Sequence, residues 1–142
     1  MNTQHIAIIG VGMAGVVCAR TLRQAGHNVT LFEKSRGLGG RMSTRSSAFG
    51  SFDHGAQYFT VRDARFAQAL ATTPNICKPW SANAVRVLDA MGRVLEAARH
   101  TEDKHWVATP GMNALVKAWV QPLAQNDSIH FESKVYKIER DT

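Results

Sequence analysis

Three glycines with the spacing Gly-x-Gly-x-x-Gly, at Gly10, Gly12 and Gly15, stand between an apolar run and a helical pattern. Gly10 permits a sharp turn after a strand, Gly12 lets the backbone approach a pyrophosphate, and Gly15 lets the helix lie close to the strand. A helix that begins with Met13 and Ala14 directs its free N–H groups at the same phosphates. The spacing therefore predicts that these five residues bind a dinucleotide.

An acidic residue follows where a ribose would be held. Glu33 lies 18 residues after Gly15, close to the spacing of about 20 residues at which a carboxylate accepts hydrogen bonds from a ribose hydroxyl. Lys34 comes directly after it and is expected near the bound cofactor. This combination favours a nucleotide site, while a tight strand–helix turn without a ligand stays the alternative.

The elements that must position these residues follow from the apolar pattern. Residues 6–9 and 29–32 predict two strands, and the segment between them predicts a helix that Gly26 ends. The apolar residues near one helical face are Ala14, Cys18, Leu22 and Ala25. Cys18 is therefore expected to be a small core residue rather than a nucleophile. The order of elements predicts an α/β fold of the Rossmann-like, FAD/NAD(P)-binding class.

Length and composition favour a soluble globular protein. The chain has 142 residues, of which 44% are hydrophobic, and no apolar run approaches the length of a membrane span. The first strand begins too early to leave room for a signal peptide, so we expect a cytoplasmic protein. Cys18 and Cys77 are far apart and predict neither a disulfide framework nor a metal site.

A net charge of +6 raises the question of a nucleic-acid partner. The basic residues Lys34, Arg36, Arg41 and Arg45 crowd into one segment, directly after the acid expected at the ribose. No nucleic-acid motif accompanies them, so we expect them to serve the phosphates of a dinucleotide. A solvated basic loop is the alternative.

Residues 37–44 read Gly-Leu-Gly-Gly-Arg-Met-Ser-Thr, a second glycine-rich element followed by a basic residue. Here the chain resembles the flavin-containing amine oxidase superfamily, in which a Gly-Gly-Arg element follows the ribose-binding acid. That superfamily usually has an arginine two residues before the glycine pair, where this chain has Gly37. Residues 52–60 (Phe-Asp-His-Gly-Ala-Gln-Tyr-Phe-Thr) and 106–115 are similar to the renalase-like branch of the superfamily.

The resemblance implies the roles of particular residues toward FAD. The glycines of the first turn and Glu33 would hold the adenosine diphosphate part. The residues expected at the phosphates and the flavin end are Gly40, Arg41 and Met42. The residues expected to line the isoalloxazine are Gln57, Tyr58 and Phe59. Val135, at the start of a late strand, would contact the adenine. Tyr58 and Phe59 have an alternative role as core residues on opposite faces of a strand.

The resemblance also implies flavin-mediated hydride removal from a small-molecule substrate such as an isomeric dihydronicotinamide, with oxygen as the acceptor. It implies an FAD-binding domain over residues 1–60 plus 109–142, interrupted at 61–108 by the start of a substrate domain. Proteins of the renalase-like branch are longer, so we expect only their N-terminal part here. Two alternatives stay open: an NAD(P)-binding domain that uses nicotinamide alone, and a non-catalytic nucleotide-binding fragment.

The rest of the chain alternates short predicted elements. Residues 63–70 predict a helix with Asp63 as its N-cap, and residues 113–123 predict another. Strands are predicted at 84–88 and 94–97, as a hairpin, and at 105–108. Two further strands, at 129–132 and 135–138, are expected to return to the nucleotide-binding sheet. His54 is interpreted as a strand-end histidine bonded to backbone rather than as a base.

Overall fold

The computed structural model describes residues 2–80, 86–96, 104–124 and 128–140. The helices and strands are, in chain order, β1 (His5–Ile9), α1 (Met13–Gln24), β2 (Asn28–Phe32), β3 (Thr44–Ser47), β4 (Gly50–Asp53), β5 (Phe59–Thr60), α2 (Ala64–Ala71), β6 (Cys77–Pro79), β7 (Val87–Leu88), β8 (Val94–Glu96), β9 (His105–Ala108), α3 (Asn113–Val120) and β10 (Ile129–His130). Short 3₁₀ turns occupy Gly40–Met42 and Gln121–Leu123.

A parallel sheet with the strand order β1-β2-β10 organises the N-terminal part. Ile8 of β1 is paired with Leu31 of β2, and Leu31 is paired in turn with Ile129 of β10. Because α1 connects two adjacent parallel strands, β1-α1-β2 is a βαβ unit. The predicted Rossmann-like α/β fold is confirmed, and so is the return of the chain to this sheet near residue 129.

The core lies between this sheet and the helices α1 and α3. Its fully buried side chains include Val16 and Ala19 of α1, Leu31 of β2, and Leu115 and Trp119 of α3. Full burial of a valine or leucine side chain contributes about 1.5–3 kcal/mol to folding. Packing of α3 against α1 therefore anchors residues near 115 to the first unit of the fold.

The prediction that Cys18 belongs to the core was wrong, because its side chain is exposed. The buried face of α1 carries Val16 and Ala19, while Ala14 is exposed. Small apolar residues occur on several faces of this helix, so periodicity alone did not identify the face that packs. The C-terminus of α1 was predicted correctly: Gly26 has φ +86° and its N–H donates to the Arg23 carbonyl at 3.0 Å.

A second, antiparallel sheet with the order β5-β9-β6 packs beside the core. Phe59 of β5 packs edge-to-face against Phe66 of α2, and Phe66 packs edge-to-face against Trp119 of α3, with ring centroids 6.3 Å apart. This aromatic chain joins segments that the sequence assigned to different domains, and the domain division stays a prediction. The helix capped by Asp63 is confirmed, since Asp63 accepts from the Arg65 N–H at 2.8 Å.

Two hairpins complete the described chain. β3 pairs with β4, and β7 pairs with β8 around Asp89, as predicted for the second hairpin. The predicted ends of that hairpin at 84–85 and at 97 lie outside the described residues. No helix in the described ranges is long and apolar enough to cross a membrane.

The strand predicted at 135–138 was wrong, and the one predicted at 129–132 is shorter than expected. Glu132 has φ +53°, which turns the chain out of the strand after His130. The turn is held by the Ser133 N–H, which donates to the Glu33 carbonyl at 2.8 Å. Beyond it, Val135 and Tyr136 have no strand partner in the described part of the chain, so alternation alone did not make a strand.

Candidate functional site

The turn between β1 and α1 has the shape that its glycines predicted. Gly10 adopts φ +98°, and its N–H donates to the Phe32 carbonyl at 2.7 Å. A Cβ on Gly15 would lie 2.0 Å from the Gly10 carbonyl oxygen, so a side chain there would force helix and strand apart. The first turn of α1, with Met13 and Ala14, therefore begins three residues after Gly10, whose N–H is bound to the last residue of β2.

The second glycine element packs against the first. The Gly39 N–H donates to the Val11 carbonyl at 2.9 Å, and Gly39 forms an isolated parallel bridge with Gly12. A Cβ on Gly40 would lie 3.3 Å from the Gly12 Cα, so the two backbones come close enough to touch. Gly39 and Gly40 both have positive φ, +119° and +54°. Two motifs separated in sequence thus form one glycine-lined corner.

Glu33 is buried at the same corner and is bound by the protein's own backbone. Its Oε2 accepts from the Val11 N–H at 2.8 Å and its Oε1 accepts from the Ser35 N–H at 2.9 Å. Burial alone would raise the pKa of this carboxyl, but the hydrogen bonds from Val11 and Ser35 outweigh it and hold the pKa below its ordinary value. Lys34, beside it, is exposed.

Residues 53–56 dock against the loop that carries Arg41. The Ala56 N–H donates to the Arg41 carbonyl at 2.7 Å. A Cβ on Gly55 would lie only 2.1 Å from the same carbonyl oxygen, which explains the glycine. The Arg41 side chain is exposed and Met42 is half-buried. The hydrogen bond from Ala56 therefore fixes the backbone of the loop, while the Arg41 side chain stays in solvent.

Sequence reasoning missed a polar junction that locks this region to α3. Asp53 Oδ1 accepts from Thr44 Oγ1 at 2.6 Å and from the Met112 N–H at 2.9 Å. Thr44 Oγ1 in turn accepts from the Asn113 N–H at 3.2 Å. Gly111 has no room for a Cβ, which would meet Thr44 Oγ1 at 2.7 Å. Two features of the sequence could have indicated this junction: the Thr-x₈-Asp spacing, and the Pro-Gly pair that precedes α3.

The three residues expected at the isoalloxazine have different environments. Gln57 is exposed, and the ring of Tyr58 stacks on Trp80 and lies tilted against the half-buried His105, with ring centroids 5.6 and 4.1 Å apart. Phe59 turns to the core side, as the alternation of a strand requires. The flavin contact of each of them stays a prediction.

The described residues include no backbone partner for the His54 ring, whose Nε2 lies 3.2 Å from Ser43 Oγ. Both side chains line a cavity of about 450 Å³ with Ser35, Gly40 and Lys117. Within the described residues no group of three or more histidine, cysteine or acidic side chains is arranged for a metal ion. The cavity is thus lined by hydroxyls, an imidazole and an ammonium, next to the glycine-lined corner.

Val135 lies two residues after Ser133, whose N–H is bound to the Glu33 carbonyl. The tail therefore runs past the carboxyl ends of β2 and β10, where ligands of open parallel sheets bind. Val135 itself is 37% exposed. Its predicted contact with an adenine stays a prediction.

The chain matches a known family over its N-terminal part. Residues 8–72 match the family described as NAD(P)-binding Rossmann-like domain. The chain is 51% identical over 43 residues to an L-amino-acid oxidase of Notechis scutatus scutatus, covering 30% of this chain and 8% of that protein. It is 53% identical over 39 residues to the flavin-containing monooxygenase FMO GS-OX-like 5 of Arabidopsis thaliana, covering 28% and 9%.

Solved structures share the fold at lower identity. The 2,6-dihydroxypyridine-3-hydroxylase of Arthrobacter nicotinovorans aligns with a TM-score of 0.57 at 17% identity, covering 99% of this chain and 31% of that one. Wild-type putrescine oxidase aligns with a TM-score of 0.51 at 21% identity, covering 69% and 22%. The chain thus spans less than a tenth of the length of these two sequence relatives, and under a third of each of these two structures.

Fold and match together define the class: residues 8–72 lie in a Rossmann-like FAD/NAD(P)-binding domain. Its N-terminal segment is similar in sequence to those of the L-amino-acid oxidase and the flavin-containing monooxygenase named above. None of the relatives and structures named above is described as renalase-like, and that assignment stays a proposal.

Proposed function

We propose that this chain is the FAD-binding part of a flavin-dependent oxidoreductase. The observation that carries the proposal is Gly12. At Gly15 and Gly55 the protein's own packing forbids a Cβ, and at Gly10 and Gly39 a positive φ favours glycine. At Gly12 neither reason applies: φ is −87°, and a Cβ would meet nothing closer than 3.7 Å. A group outside the described chain that approaches the backbone explains the missing side chain.

The residues around Gly12 suit the pyrophosphate of FAD. The N–H groups of Met13 and Ala14 lie in the first turn of α1, where an anion is favoured by free amides and the helix dipole. Arg41 offers an exposed guanidinium that can form a bidentate pair with phosphate oxygens. The glycine-lined corner and this cation together meet the two needs of a pyrophosphate, close approach and charge.

Glu33 retains acceptor capacity for a ribose. Each of its oxygens accepts one backbone N–H, and a carboxylate has about four acceptor sites. Because its pKa is held low, it is ionised at neutral pH and accepts from a ribose hydroxyl. When FAD is bound, the flavin supplies the hydride chemistry, and the chain's task is to bind and orient it.

We further propose the renalase-like form of this activity, in which a reduced small molecule such as an isomeric dihydronicotinamide gives up a hydride and oxygen accepts the electrons. The support is the resemblance of residues 37–44, 52–60 and 106–115 to that branch. The partly exposed rings of Tyr58 and Trp80, which stack on each other, would offer aromatic surface to a planar ligand. The free state of Cys18 and Cys77 supports a reducing compartment such as the cytoplasm.

An NAD(P)-binding domain that uses nicotinamide alone is the second candidate, and the name of the matched family favours it. The glycine-lined corner would hold the pyrophosphate of either dinucleotide. Gly39 and Gly40 pack a second loop against the first turn. This loop favours FAD over NAD(P), since the resemblance to the flavin-containing amine oxidases links the Gly-Gly-Arg element to flavin.

Absorption spectroscopy of the purified full chain, followed by separate titrations with FAD and NAD⁺, tests the proposal. We expect a yellow protein, or saturable FAD binding that Gly12→Ala weakens by at least about tenfold, equal to 1.4 kcal/mol. Circular dichroism checks that the variant is folded. Saturable binding of NAD⁺ without FAD would support the second candidate, and binding of neither would leave a non-catalytic module.

A further inference from the structure

A groove on the side of α1 away from its first turn has no part in the function proposed above. It lies between α1 and α2 with a volume of about 320 Å³. Arg20 and Gln24 line it from α1, Arg65 and Gln68 line it from α2, and Trp119 of α3 forms part of its surface. Three helices of the fold thus meet around one small opening.

The groove is lined by two guanidinium groups, and one of them, that of Arg20, has no carboxylate partner among the described residues. None of the described residues that line it is acidic. Among the described residues no carboxylate forms an ion pair with Arg20, whose guanidinium carbon lies 5.1 Å from the centroid of the Trp119 ring. Arg20 is half-buried, so part of its hydration has been replaced by the face of an aromatic ring. Its remaining N–H donors are available at the groove.

The second guanidinium, that of Arg65, is exposed and paired with a neighbouring carboxylate. Arg65 Nε and one of its terminal nitrogens donate to the two oxygens of Asp63 at 3.1 and 2.7 Å. That pairing uses two of the five N–H donors of a guanidinium and restricts its rotation. The other N–H groups of Arg65 are free to meet a second acceptor. The groove therefore has one cation without a carboxylate partner, a second guanidinium that is paired with Asp63 and keeps further N–H donors, and two side-chain amides.

We propose that this groove binds a small molecule through an oxyanion, a phosphate or a carboxylate, held by Arg20 and Arg65. Guanidinium groups match the paired oxygens of both anions in a bidentate manner. The volume lies at the lower end of the range of small-molecule pockets, about 300–1,000 Å³. Val17 and Ala69 supply an apolar wall for the body of such a ligand. The site is separate from the glycine-lined corner and does not depend on FAD.

Titration of the full chain with inorganic phosphate and then with acetate, followed by ¹⁵N–¹H NMR, tests the proposal. We expect saturable shifts at the amides of Arg20, Gln24 and Gln68, and the tighter of the two anions identifies the preferred oxyanion. Arg20→Gln should weaken binding by at least about tenfold, as loss of a charged hydrogen bond predicts. Arg23→Gln is the matched control, since it removes the same charge from the same helix outside the groove.

Gln68→Glu is a second variant that leaves the buried core untouched and places a negative charge in the groove. It should abolish the shifts if the site binds anions. Shifts that do not saturate, or that Arg20→Gln and Arg23→Gln reduce equally, would overturn the proposal and leave an empty crevice between helices. FAD binding is measured separately, so its failure would not affect this result.

Discussion

Asp53 Oδ1 accepts a hydrogen bond from the backbone N–H of Met112 at 2.9 Å, across 59 residues of sequence. The same oxygen accepts from Thr44 Oγ1 at 2.6 Å. The contact ties the hairpin β3–β4 to the residue that precedes α3, where a free backbone N–H needs an acceptor. Since Gly55 and Ala56 follow directly and dock on Arg41, this junction also supports the glycine-lined corner.

We therefore expect Asp53→Ala to lower the free energy of unfolding by about 1–3 kcal/mol, because it leaves the Met112 N–H without an acceptor. Asp53→Asn is the control, since its amide oxygen still accepts from Met112 and Thr44. Urea unfolding followed by circular dichroism measures both variants. Equal losses for Ala and Asn would mean that the charge, rather than the hydrogen bonds, holds the junction.

The glycine positions should divide into two classes on substitution by alanine. Gly15→Ala and Gly55→Ala should destabilise the fold strongly, because each new Cβ would lie within 2.1 Å of a backbone carbonyl oxygen. Gly12→Ala should lower stability by no more than about 1 kcal/mol, the range for a helix N-cap. Thermal unfolding of the three variants decides this. If Gly12→Ala were as unstable as Gly15→Ala, the fold itself would require the glycine, and its absence of a side chain would not point to a ligand.

Glu33 should make stability depend on pH. Its folded-state pKa is below its ordinary value of 4.5, so its contribution is present above about pH 4.5 and is lost as the pH falls through the folded pKa. Glu33→Gln should reduce stability at neutral pH by about 1–3 kcal/mol, since one backbone donor loses its acceptor. Urea unfolding between pH 3 and 7 should also show a flatter profile for the variant. Parallel profiles for the two proteins would contradict this role.

The two cysteines should differ in reactivity. Cys18 is exposed, whereas burial raises the pKa of the Cys77 thiol to about 11. Iodoacetamide should therefore alkylate Cys18 first at pH 8, because the thiolate is the nucleophile and the Cys77 thiol stays protonated. Mass spectrometry of the digested protein measures the order. Cys18→Ser is the control, and it should leave only the slow reaction.

The sequence by itself determined the βαβ unit, the sharp turn at Gly10, the C-terminus of α1 at Gly26 and the cap at Asp63. These features depend on local chemistry: an apolar period, a glycine where φ is positive, or a carboxylate near free N–H groups. Each is decided within a few residues, so spacing along the chain was sufficient to predict it.

Only the tertiary structure decided which face of α1 is buried, that Gly12 meets Gly40, that Asp53 accepts from Met112, and that the tail near Val135 forms no strand. Each of these depends on partners distant in sequence. A helix with apolar residues on several faces buries the one that its neighbours cover, and an extended segment becomes a strand only when another strand offers it hydrogen bonds.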